Sequence, residues 1–189
     1  MTLAVTGPLT DQAASPQTSR VDGGASPLFV DVYAAQLQFV WRTLWRLGVP
    51  DRDLEDVAHD VFVVVHRKLA DFDPTRPLKP WLFGICFRTA LDRRRKMSIA
   101  RETPSEHVDV VDEGRRDAAS MVERNEKKAL VQRALATLPL EQRAVFVLHE
   151  LEGLPIPECA LVLEAPLNTL YSRLRLARAA FTSFVEKHA

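Results

Sequence analysis

Residues 155–181 read PIPECALVLEAPLNTLYSRLRLARAAF, and this stretch decides the fold. PIPECALVLE has the spacing of a short helix, APLN is a turn around Pro166, and TLYSRLRLARAAF is a second, longer helix. In the second helix Leu170, Leu174, Ala177 and Phe181 share one face and are predicted to pack inward, with Ser172, Leu176 and Ala179 roughly opposite, flanked by Arg173 and Arg175. That is the layout of a helix-turn-helix. A helix of this width fits the DNA major groove with its N-terminal residues nearest the base edges. Arg holds guanine through two hydrogen bonds, Ser donates or accepts, and a side chain such as Leu176 can touch a thymine methyl. By spacing alone the stretch is also an ordinary helical hairpin with a solvated face.

Upstream, the helical pattern continues at about residues 124–137 and 141–151, broken by Pro139 and by Gly153 with Pro155. Residues 98–123 lose the periodicity and carry seven acidic groups against Arg101, Arg115 and Arg116, which reads as a flexible acidic linker. A helix is predicted from Pro80 or Trp81 to about Met97, after a loop, DFDPTRPLK, at residues 71–79. The helix before that loop places Leu54, Val57, Ala58, Val61, Val64 and Val65 on one stripe, behind Asp51 and Asp53, which suit a helix N-terminus. The first helix runs from Leu28 to Leu47, with Val30, Tyr33, Ala34, Leu37, Val40, Trp41 and Leu44 expected on one face. Residues 1–26 are rich in Ser, Thr, Ala, Pro and Gly and hold no aromatic residue, so a disordered tail is expected. No strand alternation is convincing. The predicted fold class is all-α: two small helical domains at 27–97 and 124–189, joined by the linker at 98–123.

The whole chain has 189 residues, with 25 Lys and Arg against 25 Asp and Glu. That neutral sum conceals segregation: residues 27–97 hold 12 basic and 9 acidic groups, residues 124–189 hold 9 and 7, and the linker holds 3 and 7. No apolar run approaches the ~18 residues of a membrane span, so no direct membrane insertion is expected. The start has neither a basic n-region nor a long apolar stretch, so a cytoplasmic protein is expected rather than a secreted one. Cys86 and Cys159, far apart, exclude a disulfide scaffold. His59 and His66 are seven residues apart with no third ligand, and no G-x-S-x-G, glycine-rich phosphate loop or H-E-x-x-H is present. No catalytic residue, metal ligand or cofactor is nominated, and the chain is not read as an enzyme.

At about 100° per residue, Leu82, Ile85 and Thr89 face one side of the helix beginning near Trp81, while Phe83, Phe87, Ala90 and Arg94 face the other. Phe83 and Phe87, i and i+4 beside the basic run at 93–96, have the makings of a surface for unpaired bases, aromatic faces replacing lost stacking. Periodicity alone favours packing against another helix instead. Val63 lies among Asp56, His59, Asp60 and Arg67, an apolar group on a charged face, either incidental or a docking surface for a partner helix.

In combination these segments resemble a bacterial RNA polymerase sigma factor of the extracytoplasmic-function branch of the sigma-70 family. DLEDVAHDVFVVVHRKLADFD is similar to the core-binding helix of region 2, and KPWLFGICFRTALDRRRK to its promoter-melting helix. LATLPLEQRAVFVLHELEGLPIPECALVLEAPLNTLYSRLRLARAAF is similar to region 4. The resemblance implies that Asp56, His59, Asp60 and Val63 dock on the β′ clamp helices of core RNA polymerase, with the region 4 domain on the β flap. It implies that Phe72 and the loop at 73–78 capture a flipped −10 base, and that Trp81, Phe83, Phe87, Arg88, Arg94 and Arg95 support melting. Asn168, Thr169, Tyr171, Ser172, Arg173 and Arg175 would read or anchor the −35 duplex, and Arg143 would hold a phosphate. The linker would thread the channel later taken by RNA. Promoter DNA and an anti-sigma factor are the further implied partners.

Three departures from the family pattern stand out. Arg88 replaces a frequent Asn, Glu164 replaces the usual turn Gly, and Leu176 replaces a frequent Arg. Two other functions fit parts of the pattern: a mimic that only sequesters an anti-sigma factor, and a regulator using the helix-turn-helix alone. A mimic has no need of the arginines at 93–95, 173 and 175.

Overall fold

The computed structural model describes residues 27–100 and 120–188, with side chains described for 29–97 and 128–188. The predicted tail and residues 101–119 of the predicted linker lie outside the described residues. Among the described residues every regular element is helical: α1 Pro27–Arg46, α2 Asp51–Lys68, α3 Leu78–Ala100, α4 Ser120–Ala136, α5 Leu140–Phe146, α6 Ile156–Leu163 and α7 Leu167–His188. A 3₁₀ turn at Leu69–Asp71 follows α2, and a π-turn at Val147–Leu151 prolongs α5. Helix α3 thus begins ahead of its predicted start, and α3 and α4 each take residues from the predicted linker.

The first lobe is α1 packed across α2 and α3. Pro50 heads α2, Asp51 and Asp53 occupy its first turn, and Leu54, Val57, Ala58, Val61, Phe62 and Val65 are buried. These residues are the predicted stripe with Phe62 in place of half-buried Val64. Helix α1 is rotated from expectation. Val32, Phe39, Val40, Thr43 and Leu44 are buried, while Val30, Tyr33 and Trp41 are exposed. The helix is apolar on more than one side, so periodicity alone did not choose its buried face. It stops at Gly48, whose φ of 86° is the left-handed conformation. The Gly48 amide bonds the Trp45 carbonyl at 2.9 Å and the Val49 amide bonds Leu44 at 3.1 Å, which closes the helix end.

In the second lobe α7 lies against α4, α5 and α6. Leu135, Leu138, Leu140, Ala144, Val145, Leu148, Cys159, Leu163, Leu170, Leu174 and Ala177 are all buried. Phe181 stacks on Phe146 with ring centroids 4.7 Å apart, so the inward face predicted for the long helix is the observed one. Arg178 on α7 pairs with Glu150 of the π-turn at 2.6 Å.

The lobes also touch, which nothing in the sequence announced. Helix α3 packs on α1 and α2 on one side and on α6 on the other, and the buried residues of both lobes form one continuous cluster. For Phe83 and Phe87 this agrees with the helix packing that periodicity favours and overturns the melting role that the resemblance implies. They are 0% and 6% exposed, so they are core residues and not a stacking surface for bases. A helix covered from two sides buries both of its apolar faces.

Candidate nucleic-acid interface

The loop after α2 is ordered by its own side chains. The Asp73 carboxylate accepts hydrogen bonds from the Thr75 hydroxyl at 2.7 Å and the Thr75 amide at 3.0 Å. Those two bonds hold the Asp73 pKa below its ordinary value. On either side of the loop, Phe72 and Trp81 are half-buried with ring centroids 4.9 Å apart and planes tilted by 47°. Of the aromatics nominated at this site, this pair keeps exposed ring surface. Two rings at that spacing offer a face on which another flat ring can pack.

Further along α3 the basic run divides. Arg93 turns back to Asp53 at 3.0 Å and is partly covered, tying α3 to α2. Arg94, Arg95 and Lys96 are exposed, with Arg95 only loosely near Asp92 at 4.0 Å. Arg88 reaches across to the second lobe: its Nη1 donates to Glu164 Oε1 at 2.8 Å and approaches the Val162 carbonyl at 3.4 Å.

On the first turns of α7, Asn168, Tyr171, Ser172 and Arg175 are exposed, while Thr169 and Arg173 are half-buried at the flank of the inward stripe. The Ser172 hydroxyl donates to the Asn168 carbonyl at 3.1 Å, so its remaining capacity toward a ligand is as an acceptor. Leu176 is 47% exposed on the same outer face.

Arg143 is the third nominated residue, after Phe83 and Phe87, that the structure moves. It is buried, and its Nη2 donates to the carbonyls of Ala136 at 2.9 Å and Leu138 at 3.1 Å, at the end of α4. Its other terminal nitrogen fills the notch over Gly48, where an added Cβ would stand 1.8 Å away. Burial, with the nearby charge of Arg94, pushes its pKa down to about 10. In this arrangement it caps a helix end and does not face outward toward a phosphate.

On α2, Asp56, His59 and Asp60 are exposed and Val63 is half-buried, close together on one face. Asp56, His59 and Asp60 border a groove that also involves Tyr33, Leu37 and Trp41 of α1; Val63 is not part of its lining. Those aromatics were assigned to the core from sequence; the signal that they belong at a surface is that α1 has more apolar residues than one buried face can use.

Burial raises the thiol pKa of Cys86 and pushes that of Cys159 up to about 11, so neither is a ready nucleophile. Among the described residues no group of three His, Cys, Asp or Glu converges on a metal position, and no helix is long and apolar enough to cross a membrane.

The sigma-70 region 2 family model matches residues 32–98, and the sigma-70 region 4 family model matches residues 128–181. The ECF RNA polymerase sigma-E factor of Escherichia coli K12 is 27% identical over 188 residues, covering 94% of this chain and 95% of that protein. A solved structure of CnrH in complex with the cytosolic domain of CnrY matches with TM-score 0.58 and 25% identity, covering 85% of this chain and 89% of that one. The sigma factor RpoE, in complex with the anti-sigma factor NepR from Bartonella quintana, shares the fold with TM-score 0.65 and 19% identity, covering 87% and 100%. With regions 2 and 4 matched in order along one polypeptide, this chain belongs to the sigma-70 family of RNA polymerase sigma factors, in its extracytoplasmic-function branch.

Proposed function

We propose that this chain binds core RNA polymerase and directs it to promoters by reading −35 and −10 elements and opening about one turn of duplex. The observation that supports this reading is that one polypeptide carries two exposed surfaces of different kinds. One is a helix whose outward first turns hold Asn168, Tyr171, Ser172 and Arg175, suited to a duplex groove. The other is the pair of Phe72, ahead of the loop, and Trp81, on the helix that continues to exposed Arg94 and Arg95, suited to an unstacked strand. A mimic that only sequestered an anti-sigma factor would need neither.

In this reading residues 27–97 and 124–189 are the two working domains, 98–123 the connecting linker and 1–26 a tail. Asp56, His59, Asp60 and Val63 dock on the β′ clamp helices, and the second lobe on the β flap. Phe72, Trp81, Arg88, Arg94 and Arg95 serve the −10 strand. Asn168, Tyr171, Ser172 and Arg175 face the −35 bases, while Thr169 and Arg173, lower on the flank, anchor the backbone. The protein acts in the cytoplasm as a polymerase subunit without catalysis of its own, and an anti-sigma factor restrains it. That last partner is suggested by the NepR complex of the Bartonella protein.

Reconstitution tests the reading. Purified protein added to core polymerase should start transcripts at discrete sites on its own genome, with permanganate-reactive thymines near −10. Absence of core binding, or of any specific start, refutes it. A pull-down from native cells that returned polymerase and no second stoichiometric partner would remove the anti-sigma part alone.

A further inference from the structure

Beyond its first turns, the outward side of α7 carries a large apolar group. Leu170, Leu174 and Ala177 are buried, whereas Leu176 is 47% exposed on the other side of the helix. It stands one turn beyond Ser172 and two beyond Asn168, both of them exposed. Three and four positions further on, Ala179 and Ala180 are exposed as well. Leu176 therefore projects from a row of smaller side chains. A single exposed leucine is ordinary on a protein surface, and what matters here is its place in line with Asn168 and Ser172. The neighbouring cations do not share that line. Arg173 is half-buried at the flank, Arg178 is held by Glu150 at 2.6 Å, and Arg175 continues the adjacent row from Tyr171.

We propose that Leu176 is a further specificity-determining residue of the −35 contact, and that it selects a thymine by its methyl group. The proposal rests on the promoter-recognition reading above. In the major groove thymine turns its C5-methyl outward, while guanine shows two acceptors, adenine an acceptor and a donor, and cytosine a donor. A leucine side chain has no hydrogen-bonding group. Where it covers a polar edge, that edge loses water and gains no partner, which weakens binding. Against the methyl it buries apolar surface on both sides. Ser172 sets the register of the contact. Its hydroxyl already donates to the Asn168 carbonyl at 3.1 Å, so it meets the duplex as an acceptor and suits the amino group of adenine or cytosine. Four residues of helix rise about 6 Å, nearly two base steps of about 3.4 Å each. The −35 element read by this chain thus pairs an adenine or cytosine amino group with a thymine methyl about two base pairs away.

The test uses the full chain with core polymerase and the duplex of a promoter mapped for that holoenzyme. Deoxyuridine replaces each thymine of the −35 element in turn, on either strand, which removes one methyl and no hydrogen-bonding group. At one position binding should fall about three- to fivefold, the size of one buried methyl, and at the others it should stay within about 1.5-fold. Leu176→Ala should bind thymine and uracil DNA equally at that position, whatever its overall affinity. A leucine that only supported the helix would leave the thymine-to-uracil ratio as in the parent. Leu176→Arg, measured with all four bases at that position, should move the preference from thymine to guanine. An element with no methyl-sensitive thymine, a sensitivity that survives Leu176→Ala, or a Leu176→Arg variant that still prefers thymine overturns the proposal. In each of those cases transcription from the same promoter leaves the sigma reading standing. A holoenzyme that starts at no promoter removes the reading and the proposal together.

Discussion

Arg143 shows how a cation can be misread when only its neighbours in sequence are known. Beside LP-x-EQR it looks like a phosphate ligand, yet its guanidinium closes the carbonyls of Ala136 and Leu138, groups at a helix end with no partner in their own helix. Arg143→Gln is therefore expected to lower stability by about 1.5–3 kcal/mol, read from the urea midpoint, with no change in the salt slope of promoter binding. Asp73 is the opposite case, a fully exposed carboxylate with a local task. Its pKa is lowered by the Thr75 hydroxyl and amide, so the folded value lies below the unfolded one. The order it gives the loop is thus present above the ordinary value of 3.8 and is lost as pH falls through the lowered value. Titration of the Thr75 amide resonance should show a midpoint below 3.8, and Asp73→Ala should abolish that titration.

Two elements invite paired substitutions. On α3, Phe83→Ala should cost about 3–5 kcal/mol because it hollows the core, and its transcription defect should follow unfolding. Trp81→Ala should leave the fold nearly intact but weaken holding of the open strand by about 1–3 kcal/mol, read as lost permanganate reactivity near −10. Equal destabilisation by both would deny the division of α3 into core and exposed ring. On α2, Val63→Asp should reduce affinity for core polymerase at least tenfold with helicity retained, measured by fluorescence anisotropy and circular dichroism. Loss of helicity there would place Val63 with the core. Helices α2 and α7 were legible in advance because each carries one apolar stripe and one polar face. Helices α1 and α3 were not, because both have apolar residues on more than one side and only their neighbours decide which are covered.

Across the whole molecule the neutral net charge says little, since the cations are placed unevenly and used differently. Three adjacent arginines on α3 divide between holding the lobe together and facing solvent. Arg94→Gln and Arg95→Gln should each flatten the dependence of log affinity on log salt by about 0.7–0.9. Arg93→Gln should leave that slope alone and lower the unfolding midpoint instead, because its partner is Asp53. Binding of the reconstituted holoenzyme to one promoter across a salt series distinguishes the three. A common slope change would mean that all three meet phosphate.

The amino-acid order by itself determined the helical character of the described residues, the inward stripes of α2 and α7, and the family to which they are similar. Those features depend on near-neighbour periodicity and on motifs short enough to read along the chain. Only the tertiary structure decided that Phe83 and Phe87 are covered, that Arg143 and Arg93 serve the fold, and that Arg88 meets Glu164 across 76 positions. Whether an apolar face or a guanidinium is buried depends on what lies against it, and for these residues much of that comes from segments distant in sequence.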